Sequence, residues 1–327
     1  MTLPRALVVL NMAAPSRERL NAGCAPTFLA AGASREDLLG ALAGAEGLLC
    51  SNALAVDAAL LAAAPHLRVV SGYGVGYDKF DVAAATERGV AVCNTPDVLT
   101  NAVADFTMGA ILAFSRRLVA NANFVRDGDW SAHKAAPPLG VDLGGRTLGV
   151  VGYGRIGRAV AQRARAFGMH ILFHDVFTEP PDGLPAEWRS LPGLLRESDV
   201  VSLHVNLSEE TRHLIGGTEL ALMKPSAILV NTSRGPVVDE EALAAALHTG
   251  RIGGAALDVL EVEPPPANAP ILRAPNALLF PHVGSATAET RQAMLDLAIT
   301  NLLAVLGGEP PPACVNPEVL ERALRRS

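Results

Sequence analysis

Thr147-Leu-Gly-Val-Val-Gly-Tyr-Gly-Arg-Ile-Gly157 is the stretch whose reading decides the fold. Leu148–Val151 is a short run of apolar and small residues, the length of a buried strand. Gly152, Gly154 and Gly157 follow in G-x-G-x-x-G order, and a helical pattern runs on to Phe167. Each glycine has a physical task. The first permits the tight turn out of the strand. The second lets a pyrophosphate approach the backbone. The third lets helix and strand pack closely, and the helix N-terminus offers free N–H groups with a positive dipole end. A second strand pattern, Met169–Asp175, ends on an acid 18 residues after Gly157. There a carboxylate accepts from the ribose hydroxyls of a dinucleotide. It also repels a 2′-phosphate, so Asp175 favours NAD over NADP.

Composition bounds the alternatives. The chain has 327 residues, enough for two domains, with 50% hydrophobic and 18% charged residues. Its net charge of −6 and lack of a basic block argue against a nucleic-acid face. The four cysteines make no C-x-x-C pair and no Cys/His cluster has metal-ligand spacing, so reduced thiols and no metal are expected. No apolar run reaches membrane-spanning length and the N-terminus has no leader pattern, which reads as a cytoplasmic protein.

Before residue 100, strands alternate with short helices. Strands are expected at 6–10, 27–30, 47–50, 67–71 and 90–93. Helices are expected from Ser34 to about Ala43, over Asp57–Ala63, and from Asp81 to about Arg88. Such alternation builds a parallel α/β sheet. One long helix is expected over Thr100–Val119, then an irregular loop over Asn123–Gly140. The Gly152 unit follows, then a Pro-rich connector at 179–192. Further alternation places strands at 199–205, 227–231, 254–259 and 277–283 and helices at 218–223 and 239–249. A final helix over 287–306 and the tail have no sheet of their own and are expected to pack on the first domain. The fold class is thus α/β: a doubly wound, Rossmann-type nucleotide domain over 100–285, and a smaller flavodoxin-like α/β substrate domain from 1–99 plus 286–327. Two chain crossings imply a cleft with hinges near 98–100 and 285–287.

Three polar stretches follow strands of the second domain, on the edge where open α/β sheets bind ligands. They place Arg234, Asp258 with Glu263, and His282 near one another. Arginine grips a carboxylate through its planar fork. Histidine trades a proton with a substrate oxygen. A glutamate on the far imidazole nitrogen orients the ring and favours its protonated form. Taken singly, each is as readily a structural residue. In register with the glycine turn, they read as one catalytic set.

Gly-Tyr-Gly-Arg-Ile-Gly157, Asn231-Thr-Ser-Arg-Gly, Asp258-Val-Leu-Glu-Val-Glu-Pro and Pro281-His-Val-Gly-Ser together resemble the D-isomer-specific 2-hydroxyacid dehydrogenases. Gly72-Tyr-Gly-Val-Gly-Tyr-Asp78, Asn94-Thr-Pro-Asp-Val-Leu and Val315-Asn-Pro extend the likeness over nearly the whole chain. Within that family the chain is most similar to the glyoxylate and hydroxypyruvate reductases. The resemblance implies that Arg234 binds the substrate carboxylate and keto oxygen, His282 donates the proton, and Glu263 is its partner. It implies that Val75 and Gly76 give backbone N–H groups to the carboxylate. It places Arg155 and Ile156 at the pyrophosphate and Thr232, Ser233 and Asp258 at the nicotinamide end, with Val205, Asn206, Thr211 and Gly284 also beside the cofactor. It implies a homodimer built on the long helix and the loop after it, with Trp130 in that loop. Where many relatives have proline after Val205, this chain has Asn206. The expected reaction is NADH-dependent reduction of a small 2-keto acid to the D-2-hydroxy acid. A corepressor or NAD sensor of the same fold, or a phosphoglycerate-type dehydrogenase, is the alternative.

Overall fold

The computed structural model describes residues 2–30, 32–133, 136–180 and 183–325. In chain order the first elements are β1 (Arg5–Val9), α1 (Ala14–Gly23), β2 (Ala25–Phe28), α2 (Arg35–Leu42), β3 (Gly47–Ser51), α3 (Ala58–Ala62), β4 (Val69–Tyr73), α4 (Val82–Arg88) and β5 (Ala91–Cys93). Then come α5 (Thr100–Ser115), α6 (Leu118–Arg126), β6 (Thr147–Val151), α7 (Arg155–Ala166), β7 (His170–His174), β8 (Glu187–Trp188), α8 (Leu191–Glu197), β9 (Val200–Leu203), α9 (Gly217–Leu222), β10 (Ile228–Asn231), α10 (Glu240–His248), β11 (Gly254–Leu257) and β12 (Ala277–Leu279). The chain closes with α11 (Ala288–Leu306) and α12 (Leu320–Arg325). It divides into two compact units, residues 2–99 with 287–325, and residues 100–286.

In the first unit five parallel strands lie in the order β2-β1-β3-β4-β5. That is the flavodoxin-like order, which reverses at β1/β3. One face buries Leu7, Leu48 and Val70 against Leu38, Leu42 and Leu60. The other buries Val8, Leu49 and Val69 against Ile299, Leu302 and Val305 of α11. So α11 and the tail complete this unit's second layer. Helix starts follow the capping rules. The side chains of Ser34, Asp57 and Asp81 accept from the N–H groups of Asp37, Leu60 and Ala84.

In the second unit seven parallel strands run β12-β11-β10-β9-β6-β7-β8. Read from β8 inward, this is the doubly wound order with β6 at the switch point. Val151, Leu203, Leu229 and Leu257 face one core, and Val150, Phe173, Val230 and Ala256 the other. Burial on both faces is what a parallel sheet flanked by helices requires.

Several expected boundaries change. The helix expected over Thr100–Val119 is two helices. Arg117 sits in the left-handed region at φ 52°, and the Val141 N–H takes the Ser115 carbonyl at 2.7 Å, ending α5. The region expected to be irregular from 123 still holds the last turn of α6, and residues 134 and 135 within it lie outside the described residues. The connector expected over 179–192 contains β8 and the start of α8, with residues 181 and 182 outside the described ones. Pro192 sits in the first turn of α8, where its missing N–H costs nothing. Helix α1 has no counterpart among the expected elements. The strand expected over 277–283 ends at Leu279, and Ala286 falls in the second unit. Among the described residues no helix is long and apolar enough to cross a membrane.

Candidate active site

The glycine turn joins β6 to α7. Gly152 has φ 90°, and a Cβ there would meet the His204–Val205 backbone at 2.7 Å. A Cβ on Gly157 would meet the Gly152 carbonyl oxygen at 2.1 Å, so the first turn of α7 lies directly on the strand exit. Beside Gly154, the residue preceding α7, the corresponding space is open. No side chain caps α7 and its first turn carries no acid. The positive end of its dipole favours an anion there. This cradle fits a dinucleotide pyrophosphate.

Asp175 follows β7 directly. Its Oδ2 accepts the Tyr153 N–H at 2.6 Å and its Oδ1 the Val176 N–H at 2.7 Å. A carboxylate has about four lone-pair sites, so both oxygens keep capacity for ribose hydroxyls. The loop after β9 approaches the turn from the other side. Burial pushes the His204 imidazole down to about 3, so the ring stays neutral, 2.9 Å from Ser202 Oγ. Asn206 is exposed. Thr211 is engaged within the loop, donating to the Asn206 carbonyl at 2.7 Å and accepting from the Ser208 N–H.

The loop after β10 is organised by Asn231, which is buried. Its Oδ1 accepts from the N–H and the hydroxyl of Ser233, and its Nδ2 donates to the Arg234 carbonyl at 2.8 Å. Thr232 Oγ1 pairs with Thr107 at 3.0 Å. The Arg234 guanidinium donates to the Ser233 carbonyl at 2.9 Å. At Gly235 the loop touches the backbone of Leu260, where a Cβ would stand 1.8 Å from the carbonyl oxygen. That approach brings Arg234 toward Glu263.

Asp258, buried after β11, accepts the Val283 and Gly284 N–H groups at 2.8 and 2.7 Å. The His282 N–H donates to the Asp258 carbonyl at 2.9 Å. Burial works to raise the Asp258 carboxyl above the ordinary carboxylate range and prevails over those bonds. The residue thus fixes the turn that carries His282, whose φ is 57°. His282 Nδ1 then meets Glu263 Oε2 at 2.8 Å, while Glu263 Oε1 accepts the Leu260 N–H at 3.1 Å. Burial opposes the Glu263 charge. The hydrogen bond and charge of His282, the Leu260 N–H and the Arg234 charge outweigh it and hold the carboxyl below its ordinary value.

Arg234, Glu263 and His282 therefore form one set on the second unit, with Nε2 of a half-exposed imidazole turned away from its partner carboxylate. Val75 and Gly76 belong to the first unit, on the loop after β4. Among the described residues no His/Cys/Asp/Glu group could hold a metal ion.

A doubly wound unit with this turn and this trio defines a dinucleotide-dependent α/β enzyme. Residues 108–284 match the family described as D-isomer specific 2-hydroxyacid dehydrogenase, NAD binding domain. A glyoxylate reductase of Thermofilum pendens is 49% identical over 297 residues, 88% of this chain and 86% of that protein. A glyoxylate reductase of Paecilomyes thermophila has a solved structure that superposes with a TM-score of 0.89 at 35% identity, over 97% of this chain and 100% of that one. An NADPH-dependent glyoxylate/hydroxypyruvate reductase of Sinorhizobium meliloti, solved with NADP and malonate, gives 0.86 at 36% identity over 96% and 97%. The chain belongs to the D-isomer-specific 2-hydroxyacid dehydrogenases. It is an oxidoreductase of that family, and its second unit is the nicotinamide-dinucleotide-binding domain.

Proposed function

We propose that the enzyme reduces a small 2-keto acid, with glyoxylate and hydroxypyruvate the first candidates, to the D-2-hydroxy acid, using NADH. The observation that carries this reading is the His282–Glu263 pair at 2.8 Å beside the Arg234 loop. Arg234 binds the substrate carboxylate and polarises the keto oxygen. Glu263 holds the ring through Nδ1 and leaves Nε2 to meet the keto oxygen. A reduced dinucleotide held by its pyrophosphate at the Gly152 turn would supply the hydride that C2 accepts. As C2 gains that electron pair, the imidazolium of His282 releases its proton to the oxygen and is later reprotonated from water. In this reading Val75 and Gly76 of the first unit offer backbone N–H groups to the substrate carboxylate.

Asp175 supports NADH over NADPH. Its carboxylate would repel a 2′-phosphate. The relatives named glyoxylate reductase support the substrate choice. A homodimer is part of the same reading. Leu118, Val119 and Val125 of α6 and Trp130 beyond it are exposed, and α6 buries none of its own residues.

A panel of 2-keto acids assayed with NADH and with NADPH tests the proposal. Turnover of glyoxylate or hydroxypyruvate with NADH is expected. Dinucleotide binding with no turnover of any keto acid would instead favour the sensor alternative.

A further inference from the structure

The loop after β4 carries Val75 and Gly76, and three consecutive carbonyls of that loop are held from two sides. The Thr95 N–H donates to the Gly74 carbonyl at 2.9 Å. Asn94 Nδ2 donates to the Val75 carbonyl at 2.7 Å. Asn52 Nδ2 donates to the Gly76 carbonyl. In a trans peptide the N–H points opposite to the carbonyl. The N–H groups of Val75, Gly76 and Tyr77 are therefore turned away from those three donors. No acceptor among the described residues takes any of them. Successive outward N–H groups of this kind make an anion-binding concavity.

The two asparagines are themselves built in. Asn52 follows β3, whose register with β4 sets Cys50 against Gly72 and Ser51 against Tyr73. Its carboxamide lies where side chains on β4's end would otherwise stand. A Cβ on Gly72 would meet Asn52 Oδ1 at 2.4 Å, and one on Gly74 would meet Nδ2 at 2.8 Å. Asn52 Oδ1 is buried without a hydrogen-bond partner. An unpaired buried acceptor costs about 1–3 kcal/mol. The carboxamide is retained there although only its N–H₂ end is used. Asn94 is buried after β5, and its carbonyl accepts Asn301 Nδ2 at 2.9 Å from α11.

We propose that Asn94 and Asn52 are positioning residues for the keto acid, holding the Val75 and Gly76 carbonyls so that the N–H groups of Gly76 and Tyr77 face the substrate carboxylate. This rests on the assignment of Val75 and Gly76 to that carboxylate. Neither side chain touches the reacting atoms, so their loss should weaken substrate binding and spare the chemical step.

The test is steady-state kinetics of Asn52→Asp, Asn52→Ala and Asn94→Ala, with Arg234→Gln as the reference and thermal melting of each. Asn52→Asp keeps the side chain's shape but replaces the donor by an acceptor facing a carbonyl. The expected result is a rise in KM for glyoxylate of about tenfold or more in each asparagine variant, the value for one lost charge-assisted contact. The largest rise should fall on Asn52→Asp. Expected alongside are kcat within about threefold of wild type and unchanged affinity for NADH. Wild-type KM in Asn52→Asp and Asn94→Ala, while Arg234→Gln loses turnover, overturns this inference and leaves the proposed reaction standing. A parallel fall of kcat, NADH affinity and melting temperature also overturns it, because the asparagines are then only scaffolding. Full turnover in Arg234→Gln removes the proposed reaction, and this inference with it.

Discussion

The Tyr153 N–H donates to Asp175 Oδ2 at 2.6 Å, tying the acid after β7 to the middle of the glycine turn. Selectivity between the two nicotinamide dinucleotides and the shape of the turn thus share one carboxylate. Asp175→Ser should bring the kcat/KM values for NADH and NADPH together, from an initial preference for NADH of about tenfold or more. It should also lower stability by about 1 kcal/mol through the lost hydrogen bond. Measuring both cofactors and the melting temperature on the same variant checks this. A variant that melts earlier with its preference unchanged would restrict Asp175 to the turn.

The three glycines of the turn separate by experiment. Gly154→Ala adds a methyl into open space, so the fold should keep its melting temperature while dinucleotide affinity falls. Gly152→Ala forces a side chain into φ 90° and onto the His204–Val205 backbone, so both stability and affinity should fall. Differential scanning fluorimetry with and without NADH distinguishes the two.

Glu263 is held below its ordinary value of 4.5, with burial opposing and His282, Leu260 and Arg234 prevailing. Its stabilising contribution is present above pH 4.5 and is lost as pH falls through the lowered value. Across the neutral range it stays a fixed negative charge facing Nδ1. That charge holds the ring through Nδ1, so Glu263→Gln should lower kcat/KM for reduction by about tenfold or more with NADH affinity unchanged. Steady-state kinetics and NADH titration of both proteins measure this. An unchanged kcat/KM would mean that the carboxylate plays no part in presenting the ring.

The apolar side chains of α6 and Trp130 lie exposed on the second unit. If a second copy covers them, sedimentation should give twice the chain mass of 34.0 kDa. Val125→Asp with Trp130→Asp should then shift the protein toward monomer. A wild-type monomer at assay concentration contradicts the homodimer.

The signals that survived from sequence to structure were those with a local cause. The glycine spacing, the acid after β7, and Arg234, Glu263 and His282 at strand ends each follow from their immediate neighbours. Elements with little apolar content were harder to see. Helix α1 buries only Ser16 and Leu20, so no periodicity announces it, and β8 is two exposed residues long. Pro192 looked like part of a connector although it occupies the first turn of α8. Asn52 and Asn94 act through side-chain bonds to backbone that only the folded chain brings near. Residue spacing carries no trace of such bonds. Asp258 was legible as polar, but its grip on the Val283 and Gly284 N–H groups was not.

The most direct measurement is a single turnover of enzyme-bound NADH with glyoxylate or hydroxypyruvate, followed by nicotinamide absorbance in wild type and His282→Ala. The account predicts an oxidation step slower by about a hundredfold or more in the variant, with NADH affinity unchanged. Equal rates in the two proteins would contradict it.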